Sequence, residues 1–181
     1  MTFIPKSDNK KVEIPYYDDV TSSGGWQGHA TGKSIDTLKS EVFTVLGRLG
    51  AVVNRCQQGD FEIDGKARQG YRIFYAVESA DGNVSLGRID IAALPVKTDH
   101  KLRKSYESRK TKALKMVLYM LRQGLDGIWF LQRLSPGFSP LLPWMLVHDK
   151  TISQLWIERE NQDFLLDPGD DFVEGEYTET K

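Results

Sequence analysis

Four carboxylates and a glycine-rich loop are the first places to look for chemistry. Asp60, Glu62 and Asp64 alternate along the chain, and on an extended strand that puts three carboxylates on one face. Asp90, on a later strand, can add a further oxygen, and such a set suits a divalent cation. The spacing is not that of a calcium loop, because the twelfth position counted from Asp60 is Tyr71 rather than Glu. Gly28-His29-Ala30-Thr31-Gly32-Lys33-Ser34 shares the Gly-Lys-Ser ending of a phosphate-binding loop. That loop needs a glycine where Gln27 stands and a buried strand where Asp18-Asp19-Val20-Thr21-Ser22 is polar. The stretch reads instead as a loop leading into a helix cap, with Trp26 as a tether to the core or a stacking face. His29, His100 and His148 have no metal-ligand spacing. Cys56, the only cysteine, excludes an intrachain disulfide and reads as a core residue.

The cations are more informative. From Lys97 to Lys115 there are eight (Lys97, Lys101, Arg103, Lys104, Arg109, Lys110, Lys112, Lys115) against two acids, Asp99 and Glu107. Solvent-facing helices usually alternate charge signs three or four residues apart, and here only Glu107 offers a local partner. A surplus of this density fits a polyanion, because each phosphate contact releases counterions. The plain alternatives are a solvated face, or one met by acidic protein. Lys101, Arg103, Lys104, Arg109, Lys110 and Lys112 are therefore expected on phosphates. On a strand before this run, Lys66, Arg68 and Arg72 interleave with Tyr71, Phe74 and Tyr75. Cations that track a backbone beside aromatics that stack on bases suit a single nucleic-acid strand. Tyr71, Ile73, Tyr75 and Val77 alternate as a core face, which leaves Arg68, Arg72 and Phe74, with Arg88 on the next strand, for ligand contact.

The elements that must position these residues follow from periodicity. Ser34 or Asp36 can cap a helix to about Leu49, with Ile35, Leu38, Val42, Phe43 and Leu46 on one face. Gly50 ends it. Ala51–Gln58, continued by Phe61–Ile63 past a kink at Gly59, then Arg68–Ser79 and Val84–Leu94, read as three strands of an antiparallel meander. Asp64-Gly65 and Asp81-Gly82-Asn83 are its turns, and Pro95 stops the ladder. His100–Leu134 carries apolar residues at helical spacing, basic on its other face in the first half and nearly all apolar in the second. Gly124 and Gly127 are candidate break points. A proline-rich linker at 135–143 leads to Trp144–Val147 and a short piece, Ile152–Ile157.

The fold class expected is α+β: helix, three-stranded antiparallel meander, long basic amphipathic helix. It divides into a flexible, irregular N-terminal arm (1–34, with Val12–Tyr17 as a short edge strand), a core domain (35–157) and an acidic, disordered tail (158–181). That tail holds nine acids against Arg159 and Lys181. It can gate the cationic groove, recruit partner proteins or simply keep the chain soluble. The formal net charge of −1 thus hides a strong segregation. With 40% hydrophobic residues over 181 positions the chain can bury a real core. No signal-peptide run and no apolar stretch long enough to span a bilayer is present, so no membrane association and a cytoplasmic location are expected.

This order of elements resembles three families. Ser108-Arg109-Lys110-Thr111-Lys112-Ala113 is similar to the run that opens the last helix of double-stranded RNA-binding domains, though its distance from the third strand is longer. The stretch Ile35–Gly124 resembles the core of single-strand annealing recombination proteins, with Ser108–Gly124 as the helix that backs the sheet. That resemblance implies a basic groove between sheet and helix that holds a DNA strand, and protomers that assemble into homo-oligomers. The same order resembles metal-dependent nucleases, which carry acid-x-Lys where this chain has Asp90-Ile91-Ala92. The reading taken is a non-enzymatic nucleic-acid-binding protein without a cofactor, for single-stranded DNA before double-stranded RNA. It would act in recombination, repair or replication, in a phage or mobile element. The alternatives are an interaction or assembly protein docking through Trp129, Phe130, Phe138, Trp144 and Trp156, and the nuclease.

Overall fold

A computed structural model describes residues 14–63, 65–98, 104–135 and 137–160. The fold is a mixed α+β one: a three-stranded antiparallel sheet with two long helices on one face. Helix α1 (Ile35–Arg48) starts where Ser34 Oγ accepts the backbone N–H of Thr37 at 3.1 Å, satisfying one otherwise orphaned donor. Its buried face is Leu38, Val42, Val45 and Leu46. The meander is β1 (Ala51–Ile63), β2 (Lys66–Glu78) and β3 (Val84–Ala92), in that spatial order. Gly65 and Gly82 supply the positive φ that its two tight turns need (69° and 81°).

Register follows the alternation. Cys56, Ile73 and Ile89 lie abreast, as do Val53, Tyr75 and Gly87. Tyr71, Ile73, Tyr75 and Ile89 are the sheet's buried contribution to the core. Gly87 is glycine because the Tyr75 ring lies over it; a Cβ there would fall 2.1 Å from Cζ of that ring. The irregularity in β1 sits between Val53 and Arg55, where Asn54 is left unpaired, and not at Gly59 as expected.

Helix α2 (Tyr106–Leu134) runs unbroken for 29 residues. Gly124 and Gly127 do not divide it, because both sit on its exposed side with no neighbour to bend toward. Ala113, Leu114, Val117, Leu118, Leu121 and Leu125 carry its buried stripe against α1 and the sheet. Beyond Trp129 the helix overhangs the core, leaving Phe130, Leu131 and Leu134 exposed. The chain then returns through a 3-10 turn (Leu142–Trp144), a tiny hairpin of β4 (Leu146–Val147) and β5 (Lys150–Thr151), and α3 (Ile152–Glu160). A bridge between Met145 and Gly87 joins this unit to the edge of β3.

Two expected boundaries move. Residues 14–34 are irregular but packed: Tyr17 and Val20 belong to the core, and the Tyr17 N–H donates to Pro95 O at 2.8 Å. Among residues 14–17 there is no strand; Tyr17 opens a 3-10 turn. At the other end Glu158 belongs to α3 and pairs with Lys150 at 2.7 Å, so it is not part of a tail. Segments 1–13 and 161–181, which hold most of the expected acidic tail and the start of the arm, lie outside the described residues. No helix among the described residues is long and apolar enough to cross a membrane.

Because the two α2 glycines face open space, Gly124→Ala and Gly127→Ala should each stabilise the protein by up to about 1 kcal/mol. Leu118→Ala, at a fully buried position of the same helix, should cost about 2–5 kcal/mol. Thermal and urea unfolding of the three variants check both signs.

Candidate nucleic-acid interface

The expected binding cations separate by chemical type, and the arginines turn inward. Arg109 is buried, with Nη1 3.0 Å from both Asp18 oxygens and 2.8 Å from Lys97 O, while Nε donates to Lys104 O. Asp18 also accepts the Lys97 backbone N–H at 2.8 Å. This pair fastens the 14–20 segment, the chain after β3 and the start of α2 to one another. Arg68, also buried, donates to Ala93 O and Ala92 O and closes off the end of β3. Arg72 forms a two-pronged pair with Asp90 across β2 and β3 (2.7 and 3.0 Å). Arg88 Nε lies 3.0 Å from the same carboxylate without hydrogen-bond alignment, and its other nitrogens donate to Asp149 O and Gln154 Oε1. Arg109, expected on phosphates, and Arg68, Arg72 and Arg88, expected in ligand contact from the sheet, are each engaged within the fold. Phe74 is half-buried between Arg55 and Arg88 in the register of the sheet's far face.

The lysines stay outside. Lys104, Lys112 and Lys115 have no carboxylate partner among the described residues, and Lys110 has only Glu107 at 3.7 Å. Lys101 and Arg103 lie outside the described residues. Lys112 is held below the usual lysine range, first by a side-chain contact with the Lys104 ammonium and then by the charges of Lys104 and Lys115. Like charges crowded in this way favour an anion between them.

A groove opens between the ends of β2 and β3 and the first turn of α2, and Lys97 and Lys110 are the lysines that line it. Its inner hollow, about 190 Å³, is lined by Asp60, Arg68, Leu94, Tyr106 and Lys110. An outer hollow of about 520 Å³ continues it past Tyr16, Lys97 and Thr98. Ala67, Pro95, Val96 and Tyr106 line both. Tyr106 stands at the head of α2 because Ser105 caps the helix, its Oγ accepting the Ser108 N–H. Lys110 Nζ is 5.3 Å from the Tyr106 ring centroid and Lys97 Nζ 5.6 Å from that of Tyr16. Lys97 is itself paired with Asp19. Aromatic faces with flanking cations form the groove, as single strands require.

Compared with known protein families, with curated proteins and with solved structures, the chain matches none. Geometry and charge therefore carry the functional reading.

Other candidate groups are accounted for by the fold. Asp90 has both oxygens committed to guanidinium groups, and Asp64 lies outside the described residues. Among the described residues no group of three or more His, Cys, Asp or Glu side chains is placed to hold a metal ion. In the glycine loop, Lys33 pairs with Glu41, and Gly28 is pressed against Tyr119, where a Cβ would fall 2.6 Å from that side chain. Burial pushes the Cys56 thiol up, only partly opposed by Lys39, which is the reverse of an activated nucleophile.

Sequence reasoning missed Tyr16 and Tyr106. Tyr106 falls at the helical spacing of the buried stripe; the signal that sets it apart is its place directly after a capping serine, one turn before the buried positions begin.

Arg109→Ala leaves a buried carboxylate without its counter-charge and should destabilise the protein by about 3–5 kcal/mol. Lys112→Ala, on the surface, should stay within about 0.5 kcal/mol. Urea unfolding of both variants tests the division between arginines that build and lysines that do not.

Proposed function

We propose that this chain binds single-stranded nucleic acid, DNA in the first instance, as a binding or annealing protein of recombination, repair or replication. The observation that carries the reading is the cluster of Lys104, Lys112 and Lys115. These lysines crowd together without carboxylate partners among the described residues, and a separate groove lined by Lys97, Lys110 and two tyrosines opens at the head of the same helix. The phosphates of a strand running along α2 meet the lysines, and the positive end of the helix dipole favours them at its first turn.

The apolar surface at the other end of the molecule favours a second role in assembly. Phe130, Leu131 and Leu134 are exposed on the α2 overhang, and Leu142, Pro143, Ile152, Trp156 and Ile157 line an apolar cleft of about 270 Å³. Phe130 packs edge-on against Trp129, which is half-buried, as is Trp144, so the five aromatics expected to form one docking surface split between core and exterior. Self-association through the exposed ones agrees with either function.

Fluorescence anisotropy with a labelled oligonucleotide at two salt concentrations tests the main reading. Lys104→Glu, Lys112→Glu and Lys115→Glu combined should weaken binding. The salt slope should fall by about 2, since each phosphate neutralised on a single strand contributes roughly 0.7. Unchanged affinity and slope would remove the lysine cluster from the interface. In the free protein Lys112 should titrate below an ordinary lysine, and an oligonucleotide should move it upward, as read by NMR of the lysine side chains.

A further inference from the structure

The lysine cluster explains attraction to a strand but not what the groove at the head of α2 receives. A phosphate suits the outside, where Lys104, Lys112 and Lys115 stand. It suits the inner hollow less well, because Asp60 lines it together with Lys110 and repels a second anion. What remains is a small flat space with mixed demands. Leu94, Pro95 and Val96 give it an apolar wall, Tyr106 an aromatic one, and Asp60 and Lys110 add a carboxylate and an ammonium to its lining. Tyr106 keeps 41% of its surface exposed although it opens a helix whose next turns are buried. A flat heteroaromatic ring with both donor and acceptor groups meets those demands together. It stacks on a tyrosine, its exocyclic amine donates to a carboxylate, and its ring nitrogen or carbonyl accepts from an ammonium.

We infer that the groove between Tyr106 and the Leu94–Val96 wall is a pocket for one unpaired nucleobase of a bound single strand. The inference rests on the nucleic-acid reading above and adds its ligand: a base free of a partner, so a single strand or a locally opened one. Duplex bases, stacked and paired within a rigid helix, do not reach the hollow. Tyr16 and Lys97 at the outer hollow then border the next nucleotide along the strand.

The test uses the full chain and four probes of equal length: oligodeoxycytidylate, oligocytidylate, an abasic deoxyribose-phosphate oligomer and a blunt duplex. The abasic oligomer keeps every phosphate and lacks every base. Wild-type protein should bind at least one base-bearing single strand roughly tenfold more tightly than the abasic one, the usual worth of a stacked base. Which of the two strands binds tighter identifies the sugar. Tyr106→Ala should abolish that difference and leave abasic binding unchanged, while Tyr106→Phe and Tyr106→Trp retain it. Ala67 lines both hollows, so Ala67→Leu narrows them and should abolish the difference with Tyr106 intact. Equal wild-type affinity for the base-bearing and abasic strands, or duplex binding as tight as single-strand binding, overturns the pocket and leaves the lysine interface standing. Failure to bind any of the four overturns both.

Discussion

The buried pair of Arg109 and Asp18 is the interaction on which the rest of this structure depends. Both side chains are over nine-tenths buried, and removing ions from water costs several kcal/mol each unless every polar atom finds a partner. That cost is offset here by a network rather than by one contact. Arg109 also meets the carbonyls of Lys97 and Lys104, and Asp18 also takes the Lys97 N–H. Three chain segments distant in sequence are thereby held at one point, at the head of α2. The groove walls, Pro95 to Thr98 on one side and Tyr106 on the other, are set by that point. A hydrophobic contact in its place could join the same segments but could not fix their direction, since dispersion has no preferred angle and a guanidinium fork does.

The division between arginine and lysine follows from the same chemistry. Arg68, Arg72, Arg88 and Arg109 use planar, multi-pronged donors on carbonyls and carboxylates inside the fold, whereas Lys104, Lys112 and Lys115 keep a compact, strongly hydrated charge at the surface. Tyr71 shows how far the interior excludes water at this sheet. Burial, then the nearby Cys56 and Asp36, pushes its hydroxyl up to about 12. The local sequence treats the eight cations of 97–115 alike, but the fold gives them different tasks.

That difference explains what could be read in advance. Alternation in Tyr71, Ile73, Tyr75 and Val77, the glycines of the two turns, and the spacing of Leu114, Leu118, Leu121 and Leu125 are local patterns, and the sheet and both long helices followed from them. The partner of Arg109 lies 91 residues away and that of Arg72 lies 18 away across a strand pair, so no window on the sequence contains either pair. The packed 14–34 segment escaped for a related reason. Tyr17 and Val20 are single apolar residues among polar ones, without a period, and their burial is decided by where Pro95 and α2 stand. Gly124 and Gly127 misled in the other direction: a glycine's cost in a helix is small beside the burial of Leu118, Leu121 and Leu125 along the same element.

Helix α2 also separates two kinds of surface. At about 1.5 Å per residue its 29 residues extend roughly 43 Å. Lys104, Lys110, Lys112 and Lys115 occupy one end, and the exposed Phe130, Leu131 and Leu134 the other. Residues Ala113 to Leu125 between them are locked to α1 and the sheet. A strand held on the lysines and an apolar neighbour at the overhang would therefore be placed at least two helical turns apart, on a rigid spacer, and neither would have to displace the other. If the overhang does meet another copy of the chain, successive lysine clusters would be set at fixed intervals, and a strand could pass from one to the next without being released. Spacing of that sort is a property of the helix as a rod, and it survives any change in the identity of the strand.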